Sequence, residues 1–147
     1  MRPLLFILAL AGLVVSALAL KVHYDTGTEP CSINDHWDCG IVNHSSFAMI
    51  HHVPLVHEVP VAVIGIAGYL LIGVLALARR RVLLLIAALI GMGFALHLTY
   101  IEDKVLEVWC LYCVISQGII ALITLLSAGW LIAAQITKSR ASKSASA

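Results

Sequence analysis

The chain reads as an all-α integral membrane protein, a four-transmembrane-helix bundle with one long extracytoplasmic loop between its first and second helices. Three observations predict this. Of 147 residues, 61% are hydrophobic and only 12% charged, far more apolar than a soluble domain of this size. Four windows without a charged side chain, 3–20, 61–78, 82–98 and 109–134, are long enough to cross hydrocarbon at about 1.5 Å per residue. Lysine and arginine then fall unevenly about those windows. With both termini cytoplasmic, seven basic residues lie inside (Arg2, Arg79, Arg80, Arg81, Lys138, Arg140 and Lys143) and two, Lys21 and Lys104, lie outside, as the positive-inside rule requires. All eight acids and all four cysteines fall on the outer side.

The first span follows Arg2. Its Ala17-Leu18-Ala19 also fits a signal-peptide cleavage site, but the apolar run exceeds the usual core of about 7 to 15 residues, so it is expected to stay as the first helix. Residues 21–60 form the one long extramembrane segment. Thr26-Gly27-Thr28-Glu29-Pro30 is turn chemistry, because proline biases its predecessor away from helix. Asn43 to His52 is expected to form a short helix whose Phe47, Met49 and Ile50 rest on the membrane surface. Pro60 suits the first turn of the second span, and Gly65, Gly68 and Gly73 mark where a neighbouring helix is expected to approach closely. Arg79 to Arg81 make a tight cytoplasmic hairpin. Ile101 to Val108 form a short outer turn into the fourth span, with Cys110 and Cys113 in its first turns, and Trp109 and Trp130 mark the two interfaces. Residues 1–138 thus make one membrane domain, and the Ser/Ala/Lys-rich tail, 139–147, is expected to be a disordered cytoplasmic extension. In a bacterium this places the chain in the inner membrane, multi-pass, with its cysteines in the periplasm, where disulfides persist. A net charge of +1 offers nothing to nucleic acid.

The chemistry lies in the cysteines. Cys110-Leu111-Tyr112-Cys113 places two thiols on one helix face about a turn apart, close enough to form a disulfide. A helix N-terminus stabilises the thiolate, which is the reactive species. Cys113, one turn deeper, is expected to meet a lipid-soluble partner while Cys110 faces the loop. Cys31 and Cys39 bracket seven residues, 32–38, polar enough to swing. The expected relay runs from an external protein to Cys31, from Cys39 to Cys110, and onward from Cys113, each step ordinary thiol–disulfide exchange. Two other readings stand beside it: a pair of structural staples in a non-enzymatic scaffold, and a metal site of Cys and His, for which a second close-spaced ligand pair is missing.

With Ser45 shortly after the loop pair, and Pro60, Gly65 and Tyr69 in the second helix, this pattern resembles the vitamin K epoxide reductase (VKOR) family over most of the chain. The resemblance implies a four-helix bundle around a quinone pocket, with Cys113 contacting the quinone, Cys110 pairing with Cys39, and Cys31 as the outer shuttle. It also implies a thioredoxin-like, DsbA-like redox partner, here expected to be a separate protein, and quinone of the ubiquinone, menaquinone or vitamin K type as electron acceptor, with no metal. Bacterial relatives use this chemistry to drive disulfide formation; animal relatives reduce vitamin K epoxide and quinone. Ser116-Gln117-Gly118, where the animal enzymes have Thr-Tyr-Ala, and an apolar residue near Val61, where they have asparagine, point away from epoxide reduction, which stays the alternative activity.

Four polar residues are candidates for the quinone pocket. Ser116 and Gln117, three and four residues beyond Cys113, share its face and can donate to a carbonyl, or else bond between helices. Tyr69 sits within an apolar span where a polar group needs a partner. Ser45 can bond a ligand carbonyl or cap a helix. His97 is expected to make a structural bond. His44, His51, His52 and His57 have no spacing that fixes a metal geometry.

Overall fold

The computed structural model describes residues 1–25, 31, 33–34, 36–53 and 56–145, with the side chains of 50–53, 56–58 and 140–145 left aside. Five α-helices and one hairpin make up this part: α1 (Arg2–Tyr24), α2 (Cys39–Asn43), β1 (Met49–Val53), β2 (Val56–Pro60), α3 (Val61–Leu77), α4 (Arg81–Ile101) and α5 (Leu111–Ala145). A 3-10 turn, Ser46–Ala48, precedes β1, and a π-helical turn, Glu102–Leu106, extends α4. The expected turn at 26–30 lies outside the described residues.

The four long helices close into a ring, α1 packing on α3 and α5, and α4 packing on α5 and α3. On α1 the buried residues are Leu5, Ala9, Gly12, Ser16, Ala19 and Val22, a stripe with steps of three or four that keeps one narrow face inward. Tyr69, Ile72 and Ala76 of α3, Leu84 and Ala88 of α4, and Ile120 and Ile123 of α5 complete the core with Leu5 and Ala9. The outward faces are equally apolar, with Ile7, Val74, Ile90 and Leu125 each at least 60% exposed. Hydrocarbon is the solvent such faces require. Three helical segments, Arg2–Tyr24, Arg81–Leu106 and Leu111–Ser139, are long and apolar enough to cross a membrane, and Val61–Leu77 is a shorter apolar helix.

Small residues set the α1–α3 approach, though not where expected. A Cβ at Gly12 would stand 2.2 Å from the Tyr69 ring, and one at Gly65 would stand 2.8 Å from Ser16 Oγ. Gly68 meets nothing within 4 Å and Gly73 has only ordinary contacts. Of the three glycines expected to mark close packing, only Gly65 does so, and Gly12, on the partner helix, was not among them.

Three further expectations are corrected. The fold is not purely helical: Asn43 to His52, expected as a surface helix, divides into the end of α2, the 3-10 turn and β1, which pairs antiparallel with β2 in the register Met49↔Pro60, Ile50↔Val59 and Val53↔Val56. The residues Met49, Ile50 and Val53 suit a strand as well as an apolar helix face, and the partner strand with Val56 and Val59 supplies the backbone bonds a lone strand would lack. α5 begins at Leu111, two residues later than expected, so Cys110 precedes it. It also continues through Ala145, because Ser, Ala and Lys carry no helix breaker and a preformed helix extends at little cost.

Candidate active site

All four cysteines gather at one end of the bundle. Cys31, Cys39 and Cys110 are buried in one cluster with Val22 and Val42, and Cys113 packs against it. Cys31 and Cys39 are joined by a disulfide; Cys110 and Cys113 are free thiols. The outer pair is thus oxidised and the inner pair reduced, side by side.

Local chemistry explains how a loop reaches this place. Asn34 Oδ1 accepts from the backbone N–H groups of His36 (3.0 Å) and Trp37 (3.1 Å), an Asx turn that reverses the chain inside the disulfide loop. The extended stretch that follows bonds to the residue before the inner pair: Trp109 N–H donates to His36 O at 2.8 Å, and Asp38 N–H donates to Trp109 O at 3.1 Å. The Trp37 and Trp109 rings lie 6.3 Å apart above this bridge. Asp38 Oδ1 then caps α2, accepting from Gly40 and Ile41 at 2.8 and 3.1 Å, so Cys39 opens a helix. The segment expected to swing freely is therefore pinned by two backbone bonds.

On the other side the π-helical turn ends at Glu107, whose φ of 53° is left-handed. That conformation costs a non-glycine residue about 1 kcal/mol and turns the chain so that Trp109 meets His36. Cys110 follows, and its carbonyl accepts the first helical bond of α5 from Val114 N–H at 3.0 Å. The Cys110 thiol, outside the membrane-crossing helix, is held below the usual thiol range: the Cys113 side chain donates to it, and the N–H groups of Cys113 and Tyr112 add to this, outweighing burial and the nearby Glu102 carboxylate. A helix N-terminus acting on a sulfur has this effect.

Two polar residues that the sequence reading passed over hold the inner pair. Asn43 Nδ2 donates to Cys39 O at 2.8 Å and reaches Cys110 Sγ at 3.5 Å, so one amide touches both cysteine pairs. His23 Nδ1 meets the Asn43 carbonyl, tying α1 to α2. Glu102, 3% exposed, accepts from Cys110 N–H at 3.3 Å. A signal for Asn43 existed: it stands four residues after Cys39, on the same face of a helix. Glu102 is the first charged residue after the third apolar window and stands eight residues before Cys110.

Beneath the cluster a cavity of about 610 Å³ opens between the helices, its wall overwhelmingly apolar. Cys113 lines it and Cys110 does not. Of the four pocket candidates, Ser45, Tyr69 and Ser116 line it. Tyr69 Oη bonds Ser116 O at 2.8 Å and Ser116 Oγ at 2.9 Å, and Ser45 Oγ donates to Val42 O at 2.7 Å rather than capping the turn it precedes. Gln117 is the exception: it does not line the cavity, and its side-chain carbonyl accepts from Thr99. It turns toward α4, where Thr99 lies, because the fourth residue after Cys113 stands about 40° further round the helix. His97 is exposed on α4 and also lies off the cavity. His51, His52 and His57 have side chains outside those described, and among the described residues no group of three or more His, Cys, Asp or Glu could hold a metal ion.

The cavity fits an apolar ring compound by volume and lining, with the Ser45, Tyr69 and Ser116 hydroxyls, the Asn43 amide, the Glu102 carboxyl and the Cys113 thiol among its few polar points. No curated protein matches the chain. Residues 3–141, nearly the whole of it, match the vitamin K epoxide reductase family. Two cysteine pairs in contact at the end of an apolar four-helix ring accord with that match, and the chain belongs to the vitamin K epoxide reductase family of oxidoreductases.

Proposed function

We propose that this protein is a quinone-coupled thiol–disulfide oxidoreductase of a bacterial inner membrane, relaying electrons from a separate periplasmic thioredoxin-like (DsbA-like) protein through its two cysteine pairs to membrane quinone and so supporting disulfide formation. In this reading α3 also crosses the membrane, as the second of four spans, both termini are cytoplasmic, and the cysteines face the periplasm. The reduced partner attacks the Cys31–Cys39 disulfide at Cys31, freeing Cys39. Cys39 then exchanges with Cys110 when the inner pair is oxidised, and the Cys110–Cys113 dithiol so formed gives its electron pair to quinone from Cys113. Each exchange swaps one S–S bond for another through a mixed disulfide. Within the cavity Tyr69, held by Ser116, and Ser45 orient the quinone carbonyls, while the apolar wall excludes water.

One observation carries this reading: both cysteine pairs lie in one buried cluster, and only the Cys113 end opens into the apolar cavity. Two static staples would have no need to touch. Purified protein supplied with a reduced thioredoxin-like protein and a soluble quinone analogue should turn over, and Cys113→Ala should abolish quinone reduction. Undiminished turnover in that variant would reject the assignment. Rapid alkylation during turnover should also trap a Cys39–Cys110 disulfide, whereas a stapled scaffold would show two stable disulfides and no such shifted pair.

A further inference from the structure

We propose, resting on the function above, that Glu102 is the proton-transfer residue of the inner cysteine pair, taking the thiol proton of Cys113 and passing it to an oxygen of the acceptor held in the cavity. Among the described residues Glu102 is the only buried carboxylate, and it has no basic partner among them. An ionised carboxylate in such a place is costly without a cationic partner, so the group favours taking up a proton. Its surroundings indicate the use. One carboxyl oxygen accepts from Cys110 N–H at 3.3 Å, and Glu102 and Cys113 line the same cavity. The carboxyl therefore sits against the backbone of the inner pair on one side and the acceptor's space on the other, in a wall that otherwise carries few groups able to exchange a proton.

The balance of the step defines the need for such a group. The S–H bonds of Cys110 and Cys113 break and one S–S bond forms, so the pair loses two electrons and two protons. Quinone gains both as two new O–H bonds, becoming quinol. The protons start on sulfur and must end on oxygen inside an apolar cavity. Glu102 accepts one from Cys113 as its sulfur gives up the electron pair, returns it to a quinone oxygen, and ends as the carboxylate it began as. The titratable groups that meet Glu102 from packed elements are Cys110 and Cys113. Asp103 and Lys104 pair with each other on its own turn, exposed, Glu107 is exposed, Tyr69 is engaged with Ser116, and His23 with Asn43.

Glu102→Gln tests this, because glutamine keeps the size and the carbonyl that accepts Cys110 N–H while removing the exchangeable acid. In anaerobic single turnovers of the fully reduced chain with a quinone analogue, the rate should fall about 100-fold, in the range of general acid–base catalysis, and the limb of the pH profile due to a carboxyl should vanish. With no quinone present, oxidising the inner pair with diamide should shift a carboxylate stretching band in the infrared that Glu102→Gln lacks. A variant that is slow but keeps the wild-type pH profile makes Glu102 structural and overturns the proposal, as does one with an unchanged rate. Should Glu102→Gln fail to fold, Glu102→Asp decides: slower turnover with the pH limb retained supports the role, and an unchanged rate overturns it. A wild type unable to reduce quinone at all would instead overturn the relay itself.

Discussion

Asn43 and Cys110 show how much of the site rests on single atoms. The Asn43 amide is buried, 7% exposed, with Cys39 O and Cys110 Sγ as its partners. Removing it leaves the Cys39 carbonyl and the Cys110 sulfur without that donor, at a cost of about 1–3 kcal/mol. Asn43→Ala should therefore slow formation of the Cys39–Cys110 disulfide about tenfold or more, read by quenched alkylation, with little change in exchange at Cys31. Cys110 itself carries a pH prediction. Its lowered pKa means that thiolate, and hence alkylation, appears at lower pH than for an ordinary cysteine. Because the Cys113 side chain is the largest cause, Cys113→Ala should move the Cys110 alkylation profile to higher pH; a profile that does not move would contradict that attribution. Sequence spacing made the four cysteines legible. It hid Asn43 and Glu102, because a side chain's partner depends on which distant backbone arrives beside it.

At the scale of elements, the helix contacts that matter are few and tight. Gly12 and Tyr69 face each other so closely that Gly12→Ala must displace the ring that anchors Ser116. Overpacking of this kind costs about 1–3 kcal/mol. Gly12→Ala should lower the melting temperature and weaken binding of a quinone analogue, both by measurable amounts. Gly68→Ala, with nothing within 4 Å, should be neutral or slightly stabilising, since alanine favours helix by about 1 kcal/mol. The reverse ranking in thermal melts of the two variants would show that the α1–α3 approach is misread. The loop element follows a similar logic. Its disulfide end is fastened to the helix tip by Trp109 through two backbone bonds, and a loop read as mobile from its polar composition proved to be one held by main-chain atoms, which composition does not report. The β1–β2 hairpin was missed for a related reason: a short stretch such as Met49–Val53, apolar at 49, 50 and 53, suits either period until a partner strand is present.

Across the whole molecule, the apolar ring of α1, α3, α4 and α5 presents hydrocarbon-compatible faces outward and one cavity inward, with the cysteines at one end and Arg79 to Arg81 and Lys138 at the other. Arg81 sits 4.6 Å over the Trp130 ring there, a cation–π contact at the end where the basic residues collect. The proposed orientation is testable directly. With the native thiols blocked, Asp25→Cys should react with a membrane-impermeant maleimide added to the periplasmic side, and Lys138→Cys should react only after the membrane is opened; the opposite labelling would invert the topology. The number and place of the apolar helices, the charge asymmetry and the two cysteine pairs were determined by sequence alone, because hydrophobic length, basic-residue bias and thiol identity are properties of the chain taken locally. The pinning of the loop by Trp109, the turning of Gln117 away, and the placement of Asn43 and a buried Glu102 against the inner pair were decided only by tertiary structure. Those depend on residues far apart in sequence meeting across helices, where close packing and the need of each buried polar group for a partner select one arrangement among many.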